Sequence, residues 1–432
     1  MEEEKFDVIV VGAGPAGLAA AYILAKNGLN VVVCERGEFP GAKNVMGGIL
    51  YRHATEQVIP EFWKEAPIER PIVEQRIMLT EKESAVTLAF RDPTFGQEPY
   101  NNFSVLRAKF DRWFSEKVEE AGAFVIPETM VDEAIIKDGK VVGVRTGRED
   151  GDLFADVVIA ADGVNSLLAK KAGLHPEIPP QHVALAVKEI IAMPQEKIED
   201  RFALENGQGV AIELVGEVTG GMMGTGFIYT NRDSISVGVG AILSDYIKKH
   251  ISPYDLIEYM KQHPAVRPLL AGGESKEYMA HLIPEGGYKA VPKLYTDGML
   301  VAGDAAMLVN SFHREGSNLA ITSGRLAAET VLEAQKKNDF SAQSLSLYQQ
   351  KLEESFVMKD LKKYKDAHHF FDVNSHFLTL YPQLANYVAK ELMTVDSVPK
   401  QEKQKAIMKT VTSKRSLLQL GMDMFRVWRT MG

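Results

Sequence analysis

The chain opens with a short apolar run, a glycine-rich turn and a long stretch of small and apolar residues. Residues 8–11 are an unbroken β-branched run, which is typical of a strand buried in a parallel sheet. Residues 15–27 carry apolar side chains at helical spacing, and residues 31–34 form a second apolar run. The pattern predicts a strand, a helix and a second strand, which is the building block of a doubly wound α/β sheet.

The turn of this unit, "GAGPAG", has the spacing GxGxxG. The first glycine permits the turn, the second lets the backbone approach a pyrophosphate, and the third lets the helix pack closely on the sheet. The helix N-terminus offers N–H groups to phosphates, and an acid about 20 residues further on is placed to bind ribose hydroxyls. We predict a dinucleotide site comprising Gly12, Ala13, Gly14, Pro15, Ala16, Gly17, Glu35 and Arg36.

Two later apolar runs also end in glycine and an acid. "DVVIAADGVNS" ends its run at Asp162–Gly163, and "GMLVAGDAA" ends its run at Gly303–Asp304. Residues 41–53 are predicted to form a loop, in which the pair Gly47–Gly48 would let the backbone approach a flat ring. Because ligands of open α/β sheets bind at the carboxyl ends of strands, we expect these segments to border one ligand.

Taken together, "GAGPAG", "ADGVNS" and "VAGDAA" resemble the three fingerprints of FAD enzymes with the p-hydroxybenzoate-hydroxylase-like scaffold. "AKNVMGGILY", "LRAKFDRWF" and "REGSNLAITSGRLAAE" narrow the resemblance to the FixC-type branch of the electron-transfer-flavoprotein:quinone oxidoreductase family. Geranylgeranyl reductases share the same scaffold. The resemblance implies an α/β chain (α+β overall), with a Rossmann-like FAD-binding domain, an inserted antiparallel-sheet lobe and a helical C-terminal region.

The expected domain boundaries are based on the positions of the three FAD fingerprints in the sequence. A discontinuous FAD-binding domain is predicted from residues 1–80, 100–175 and 285–335. A substrate or quinone lobe would span residues 176–284. Residues 336–432 would form the helical region and end in a basic amphipathic tail.

The resemblance also implies roles for individual cofactor-binding residues. Arg107 would reach the phosphate or ribityl region of FAD, although it could equally be a charge at the start of a helix. Val131 would touch the adenine through its backbone, and Asp162 and Gly163 would close over the cofactor. Asp304, after Gly303, would hydrogen-bond the ribityl chain.

A helix N-terminus is expected at the pyrimidine edge of the flavin. The resemblance assigns this position to Gly316, Asn318 and Leu319. Reduced flavin carries negative charge at that edge, and the positive end of a helix stabilises anions. We predict no catalytic nucleophile and no metal site, because the chemistry would be carried by the flavin.

Residues 218–231, "VTGGMMGTGFIYTN", form an uncharged, glycine-rich run. The pattern alone favours a core strand with a turn. The resemblance matches Gly220 and Gly221 to the quinone-contacting segment of the family, whose members often carry an aromatic residue where Thr219 stands. This segment is therefore a candidate quinone site.

The implied activity is transfer of electrons from an electron-transfer flavoprotein, with its alpha and beta subunits, to a menaquinone or ubiquinone in the membrane. A single cysteine, Cys34, cannot hold an iron–sulfur cluster, so a FixX-like ferredoxin would carry one. Two alternatives remain: an isoprenoid reductase, and an FAD-bearing subunit that only relays electrons.

The net charge and the distribution of apolar residues limit the classes of partner that the protein could bind. A net charge of −9 argues against nucleic acid as a partner. We expect no signal peptide and find no apolar run of about 18 residues, which argues against a membrane-spanning helix but not against contact with a membrane surface. We predict a cytoplasmic location, and the quinone acceptor implied by the resemblance places the protein at the inner face of the cell membrane. Residues 401–432 carry seven basic and two acidic residues, with an apolar face at Leu417, Gly421, Met424, Phe425 and Trp428. That tail could bind lipid, a partner chain or the protein body.

Overall fold

A computed structural model describes residues 5–44 and 48–431. Seventeen strands fall within these residues. They are β1 (Lys5–Val11), β2 (Val31–Cys34), β3 (Ile49–Tyr51), β4 (Ile68–Glu81), β5 (Ser84–Arg91), β6 (Asn102–Val105), β7 (Phe124–Ile126), β8 (Val131–Lys137), β9 (Lys140–Thr146), β10 (Asp152–Ala160), β11 (Val183–Ala192), β12 (Gly209–Gly216), β13 (Gly224–Thr230), β14 (Ser234–Ile242), β15 (Glu274–Pro284), β16 (Tyr295–Thr296) and β17 (Met299–Val301).

The same described residues contain sixteen α-helices. They are α1 (Pro15–Lys26), α2 (Arg52–Glu56), α3 (Arg107–Glu120), α4 (Leu167–Lys171), α5 (Gln195–Phe202), α6 (Leu243–Lys249), α7 (Pro253–Gln262), α8 (Arg267–Leu270), α9 (Ser317–Lys337), α10 (Ala342–Leu345), α11 (Leu347–Glu354), α12 (Phe356–Lys363), α13 (Ala367–Val373), α14 (Leu380–Met393), α15 (Lys400–Lys414) and α16 (Leu417–Met431). None of the described helices is both long and apolar enough to cross a bilayer.

The chain divides into two compact units, and the mixed α/β fold is confirmed. The first unit contains residues up to 71, residues 95–184 and residues 280–365. The second contains residues 72–94, 185–279 and 366–432, so the last 67 residues belong to it. Residues 336–365, grouped with the C-terminal helices in the sequence-based domains, belong to the first unit.

The first unit is built on a sheet of order β16–β17–β10–β1–β2–β7, to which the hairpin β8–β9 is attached through β10. Strands β7, β2, β1, β10 and β17 run parallel. The central strands are buried because both faces of the sheet are covered, which explains the continuous β-branched runs. In the register, Val11 pairs with Ala160 and with Cys34. Ala160 pairs in turn with Val301, so these four strands end side by side.

Two helices of the first unit pack closely through small residues. A β-carbon built on Gly17 of α1 would lie 2.0 Å from the carbonyl oxygen of Gly12. A β-carbon built on Gly324 of α9 would lie 2.0 Å from the carbonyl oxygen of Ala16 on α1. These glycines therefore bring α1 against the turn before it and bring α9 against α1. Gly324 was not identified from the sequence.

The prediction of a loop over residues 41–53 is wrong from residue 49 onward. Residues 49–51 form β3, which pairs antiparallel with β6, and α2 begins at Arg52. The partner strand lies about fifty residues further along the chain, and a local pattern does not contain that pairing. Gly47 lies outside the described residues, and the carbonyl of Gly48 accepts the Val105 N–H at 2.9 Å.

The second unit is built on the strands β15, β11, β14, β13 and β12, with β4 beside β12 and β5 beside β4. The pairs β12–β13, β13–β14 and β4–β5 are antiparallel, whereas β4 and β12 run parallel. Its core contains the apolar side chains of β12 and β14 together with those of α5 and α7. Helices α13 to α16 belong to this unit.

Candidate functional site

The glycine-rich turn at residues 12–17 is tightly packed around Gly12 and faces open space at Gly14. Gly12 has a φ of +101°, and its N–H donates to the Cys34 carbonyl at 2.8 Å. A β-carbon there would lie 2.3 Å from the carbonyl oxygen of Ala161. At Gly14 the nearest atom to such a β-carbon is 4.0 Å away, on the side chain of Asn44. The second glycine of the motif therefore faces open space at the N-terminus of α1.

Glu35 joins this turn to the end of β2. Its carboxylate accepts the Ala13 N–H at 2.9 Å and the Gly37 N–H at 2.6 Å. The Glu35 carbonyl accepts the N–H of Thr129, two residues before Val131 opens β8. The acid therefore lies at a corner formed by the turn, β2 and the approach to β8. The resemblance assigns Glu35 to the adenosine ribose and Val131 to the adenine, and the structure places both residues near this corner.

Asp162 follows the end of β10 by two residues, and only one of its two carboxylate oxygens accepts a hydrogen bond. Its Oδ2 accepts the Leu168 N–H at 3.0 Å, at the start of α4. Its Oδ1 is buried and has no hydrogen-bond partner among the described residues. Burial raises the pKa of this carboxyl, while backbone hydrogen bonds, first that from Leu168, and then the charge of Arg36 oppose the rise. Gly163 follows with a φ of +77° and open space where a β-carbon would be.

Asp304 lies in a one-turn 3₁₀ segment, Gly303–Ala306, directly after β17. The N–H of Gly303 donates to the Ser323 hydroxyl of α9 at 2.9 Å, which fixes this segment on the helix. Within the part of the chain that the structure describes, the Asp304 carboxylate accepts no hydrogen bond. Burial raises the pKa of Asp304 to about 6, and the nearby positive charge of Arg107 opposes that rise. Asp304 is thus a half-buried acceptor close to a cation.

Arg107 is the first residue of α3, and its guanidinium is held by a second acid of the same helix. Its Nε and Nη2 donate to the two carboxylate oxygens of Asp111 at 2.8 and 2.7 Å. Asn44 donates its amide N–H to Oδ2 of Asp111 at 2.6 Å. Asp111 is fully buried, so these donors compensate its charge. Asp111 and Asn44 were missed in the sequence, although an arginine and an acid four apart on a predicted helix was an available signal.

The helix α9 begins at the last segment of the site. Gly316 is its N-cap, and the loop before it is closed by a bridge between Asn310 and Glu315. The amide of Asn318 donates to the Glu315 carboxylate, while its own Oδ1 is buried without a partner among the described residues. Leu319 is fully buried. The N-terminus of a helix of 21 residues therefore carries an unpaired acceptor and a positive dipole end.

Two further titratable residues of the first unit were missed in the sequence. Burial and the charges of Arg107 and Arg36 lower the pKa of His281 to about 4, so its ring is neutral near pH 7. Burial raises the pKa of Glu285 to about 7, opposed by a hydrogen bond with Ser311. Both residues come from residues 280–285, a segment without glycine fingerprints or helical spacing, so no local pattern indicated them.

The glycine pair proposed for quinone binding lies in the second unit and forms a tight turn. Gly220 and Gly221 both have left-handed backbone, with φ of +58° and +70°. The Gly220 N–H donates to the Glu217 carbonyl at 2.8 Å, and its carbonyl accepts from Lys249 Nζ at 2.8 Å. A β-carbon on Gly220 would meet only Ile251 and Leu256 side chains, at 3.3 and 3.8 Å. The turn therefore presents backbone and apolar surface rather than unpaired side-chain acceptors.

Neither a metal cluster nor a thiol nucleophile is found among these described groups. No set of three His, Cys, Asp or Glu side chains in residues 5–44 and 48–431 is placed to hold a metal ion. Cys34 is buried, and burial raises the pKa of its thiol to about 11. A thiol of that pKa stays protonated and unreactive near pH 7.

Three family models match the chain. The model described as "FAD dependent oxidoreductase" matches residues 7–194. The model described as "ETF-QO, ubiquinone-binding" matches residues 183–283. The model described as "ETF-QO/FixC family C-terminal domain" matches residues 367–432. Together they cover the two glycine fingerprints before residue 194, the Gly220–Gly221 turn and the C-terminal helices.

Curated proteins are similar over nearly the whole length. Protein FixC of Azotobacter vinelandii is 51% identical over 427 residues, which cover 99% of this chain and 99% of the relative. Protein FixC of Azorhizobium caulinodans is 50% identical over 436 residues, which cover 99% and 100%. Protein FixC of Escherichia coli K12 is 45% identical, and the match covers 94% of this chain and 95% of the relative.

Solved structures share the fold at low identity. A geranylgeranyl bacteriochlorophyll reductase-like protein from Thermoplasma acidophilum superposes with a TM-score of 0.74 at 21% identity, covering 98% of this chain and 99% of that chain. The flavin-dependent brominase Bmp2 superposes with a TM-score of 0.65 at 18% identity, covering 90% and 92%. At such identities the likeness establishes the scaffold and not the reaction.

Proposed function

The chain belongs to the FixC family of FAD-dependent oxidoreductases, and from this premise we propose that it passes electrons from an electron-transfer flavoprotein to a quinone. The observation that carries the proposal is the match of residues 183–283 to a ubiquinone-binding family model. That stretch contains the Gly220–Gly221 turn, where the apolar side chains of Ile251 and Leu256 lie beside Gly220 and the ammonium of Lys249 lies beside both glycines. A flat, apolar ring is the chemistry that such a turn accommodates.

The residues of the first unit fit FAD. A dinucleotide with many hydroxyls needs acceptors, and among the described residues the buried Oδ1 of Asp162 and the half-buried carboxylate of Asp304 accept no hydrogen bond. Open space at Gly14 and Gly163 leaves room for the phosphates and for the rest of the cofactor. We propose that the pyrophosphate binds at Gly12–Gly17 and the N-terminus of α1, with Glu35 on the adenosine ribose and Val131 near the adenine.

The remaining cofactor contacts are assigned by the same reasoning. Asp304 would accept from the ribityl hydroxyls, and Arg107, held by Asp111, would place its charge beside that chain. Gly316, Asn318 and Leu319 would bring the N-terminus of α9 to the pyrimidine edge of the ring. Gly48 would approach the ring through its backbone. Because a helix N-terminus stabilises negative charge, this placement favours the reduced, anionic cofactor.

Reduction of a quinone to its quinol takes two electrons, which FAD supplies when bound, and two protons from water or a side chain. In the second unit, the backbone of Gly221 would approach the quinone ring because it lacks a side chain. Ile251 and Leu256 would contact the apolar part of the ring. The protein's contribution is orientation and exclusion of water, and no side chain acts as a nucleophile in this proposal.

The electron source and the location are part of the same proposal. The single cysteine is buried at the end of β2, so an iron–sulfur cluster with thiolate ligands would be carried by a partner such as a FixX-like ferredoxin. The alpha and beta subunits of an electron-transfer flavoprotein would deliver the electrons. Because menaquinone and ubiquinone dissolve in lipid, we place the protein at the inner face of the cell membrane.

The experiment mixes the reduced, FAD-loaded protein anaerobically with three acceptors in turn and follows the flavin absorbance. The acceptors are a water-soluble ubiquinone analogue, a menaquinone analogue and a geranylgeranylated lipid. We expect either quinone to reoxidise the cofactor, and the lipid to leave it reduced. Saturation of the prenyl chain would instead identify an isoprenoid reductase. Failure of all three acceptors would identify a subunit that only relays electrons to a partner.

A further inference from the structure

A group of buried polar atoms in the first unit has no hydrogen-bond partner among the described residues. They are Oγ1 of Thr55 on α2, Nδ2 and Oδ1 of Asn102 on β6, and Oγ1 of Thr322 on α9. These three residues are 0%, 1% and 2% exposed. Strand β6 pairs with β3, and both β3 and α2 pack against α9. The three residues therefore lie on segments that pack together.

The chemistry of these atoms favours ordered water as their partner. Polar atoms this deeply buried normally bond to the protein or to a buried water, because an unpaired one is destabilising. A threonine hydroxyl both donates and accepts, and an asparagine amide offers donors and an acceptor. Two hydroxyls and one amide can supply the two to four polar partners, roughly, that a buried water needs. An apolar occupant would leave all of them unpaired.

Helix α9 carries such unpaired atoms on successive turns of one face. Oδ1 of Asn318, Oγ1 of Thr322 and Nε of Arg325 are buried and lack a partner among the described residues. Residues spaced by four and by three lie on one face of a helix, with neighbouring β-carbons about 5–6 Å apart. Two hydrogen bonds of about 2.8 Å through one water span such a gap. Single waters could therefore connect these three side chains, which we call the α9 row.

The two ends of the α9 row differ in their surroundings. Asn318 lies in the first turn of α9, the part proposed to meet the flavin. Its Oδ1 has two lone pairs, so it can accept from a water as well as from the cofactor. At the other end, Arg325 forms an ion pair with Glu329, whose side chain is 36% exposed. Lys351 Nζ lies 3.5 Å from the same carboxylate. This end of the row therefore has access to solvent.

We propose that a chain of buried waters along the α9 row carries protons between solvent and the bound flavin, with Thr55, Asn102 and Thr322 holding the waters in place. An electron carrier delivers electrons without protons, whereas two-electron reduction of a flavin near pH 7 takes up a proton on a ring nitrogen. That proton has to come from water. The proposal rests on the proposed position of Asn318 beside the cofactor.

The transfer leaves no charge behind in the interior. A proton enters from bulk water at the Arg325–Glu329 end, and each water accepts one proton and passes on another. The hydroxyl of Thr322 does the same, because it can accept at its oxygen while it donates its own proton. The amides of Asn102 and Asn318 only hold waters. Thr322 is thus a positioning residue that also completes the chain of O–H groups.

The test measures proton uptake separately from electron uptake. The full-length, FAD-loaded protein is mixed anaerobically with reduced methyl viologen, which donates electrons only, in a weakly buffered solution near pH 7. Flavin absorbance reports electron uptake, and the fluorescence of pyranine reports proton uptake. In Thr322→Val, which keeps the shape and removes the hydroxyl, we expect proton uptake to slow by about tenfold or more, with a larger solvent deuterium isotope effect. Thr322→Ser keeps a hydroxyl and should stay within about twofold of wild type.

Thr330→Val is the matched control on the same helix. Thr330 is fully buried, but its hydroxyl donates to the Leu326 carbonyl at 2.8 Å, so it is not available to a water chain. This variant should leave proton uptake unchanged. Thermal unfolding of the apoprotein gives a second measurement. If water occupies the site, Thr322→Val removes one of its partners and lowers the Tm, whereas removal of an unpaired hydroxyl from a dry site would raise it.

Three results would overturn the proposal. They are unchanged proton uptake in Thr322→Val, equal slowing in Thr322→Val and Thr322→Ser, and a higher Tm of the Thr322→Val apoprotein. If Thr322→Val does not fold, Thr55→Val repeats the test from α2, with slower proton uptake expected and unchanged uptake again contradicting the proposal. Methyl viologen replaces the electron-transfer flavoprotein and no quinone is present. Failure of this test is therefore distinct from failure of the wild-type protein to reduce a quinone.

Discussion

The cofactor edge of the first unit and the Gly220–Gly221 turn of the second unit both rely on close backbone approach, yet they treat polar atoms in opposite ways. At the cofactor edge, Oδ1 of Asp162, the carboxylate of Asp304 and Oδ1 of Asn318 have no hydrogen-bond partner among the described residues. At the glycine turn, both the N–H and the carbonyl of Gly220 are already bonded within the unit.

This difference matches two kinds of ligand. Buried acceptors without partners destabilise a protein by about 1–3 kcal/mol each, so they persist where a ligand with hydroxyl or N–H donors satisfies them. A turn whose backbone polar groups are satisfied internally can bind and release an apolar ring without such a penalty. We infer a tightly held cofactor at the first place and a ligand that comes and goes at the second.

The largest effect on stability is expected at Gly17. The absence of a side chain there is needed for helix α1 to pack against the preceding turn, and not for contact with a ligand. Gly17→Ala would place a β-carbon within 2.0 Å of the Gly12 carbonyl oxygen and should destabilise the protein by about 3 kcal/mol or more. Chemical unfolding of the apoprotein measures this.

Gly14→Ala is the matched variant for that change. No atom lies within less than 4.0 Å of its new β-carbon, and the φ of Gly14 is −84°, so folding should be unaffected. FAD affinity should fall by about tenfold or more, because the side chain fills the approach of the pyrophosphate. If Gly14→Ala kept full FAD affinity, the cofactor would not bind at this turn.

The first unit shows how far the sequence alone could go. The predicted helix over residues 15–27 is Pro15–Lys26, and the predicted strand over residues 31–34 is Val31–Cys34. Both are short-range patterns whose periodicity is decided by burial on a sheet. The cofactor type, FAD, was also predictable and is confirmed by the match of residues 7–194 to an FAD-dependent oxidoreductase model.

Most of the residues that sequence reasoning missed are fixed by long-range contacts. Asp111 matters because it holds Arg107, and Gly324 because α9 touches α1 at Ala16. His281 acquires its low pKa from burial and from two arginines far away in the chain. The Gly324 and His281 relations do not exist in a local window, since each depends on which segments the fold brings together, whereas the i,i+4 spacing of Arg107 and Asp111 was present in the sequence and was overlooked.

Asp304→Asn should separate cofactor binding from stability. The folded pKa of about 6 lies above the usual value of 3.8, so folding disfavours the ionised carboxyl. That penalty is fully present above pH 6 and disappears as the pH falls toward 4. The apoprotein variant should therefore be more stable than wild type at pH 7.5, by up to about 3 kcal/mol, and equally stable near pH 4.

The same variant should bind FAD about tenfold more weakly, because the amide replaces a charged acceptor. Asp111→Asn is the control, since it leaves Arg107 buried without its bonded charge and should destabilise the protein at pH 7.5. A loss of stability in Asp304→Asn at that pH would contradict the interpretation of Asp304 as an unsatisfied acceptor.

Gly221→Ala should affect only the second site. A left-handed residue with a side chain is strained by about 1 kcal/mol, and the new β-carbon would lie 3.1 Å from Nζ of the flexible Lys249, which can shift, so the unit should remain folded. Quinone reduction should fall by about tenfold through a higher KM, with FAD content unchanged. Gly207→Ala introduces the same strain at a φ of +72° in open space of the same unit, and it should leave quinone reduction unaltered. Equal effects of the two changes would remove Gly221 from the quinone site.

The smallest effect is expected at Lys249, whose ammonium donates to the Gly220 carbonyl from an exposed position. An exposed hydrogen bond of this kind contributes about 0.5–1 kcal/mol, so Lys249→Met should raise the KM for quinone by about two- to fivefold and leave kcat unchanged. Lys248→Met removes the same charge from the neighbouring exposed position and should change neither constant. Equal effects of the two lysine variants would mean that net charge governs quinone binding. The hydrogen bond from Lys249 to the Gly220 carbonyl would then have no role in binding the quinone, and the proposed difference between this turn and the cofactor edge would not hold.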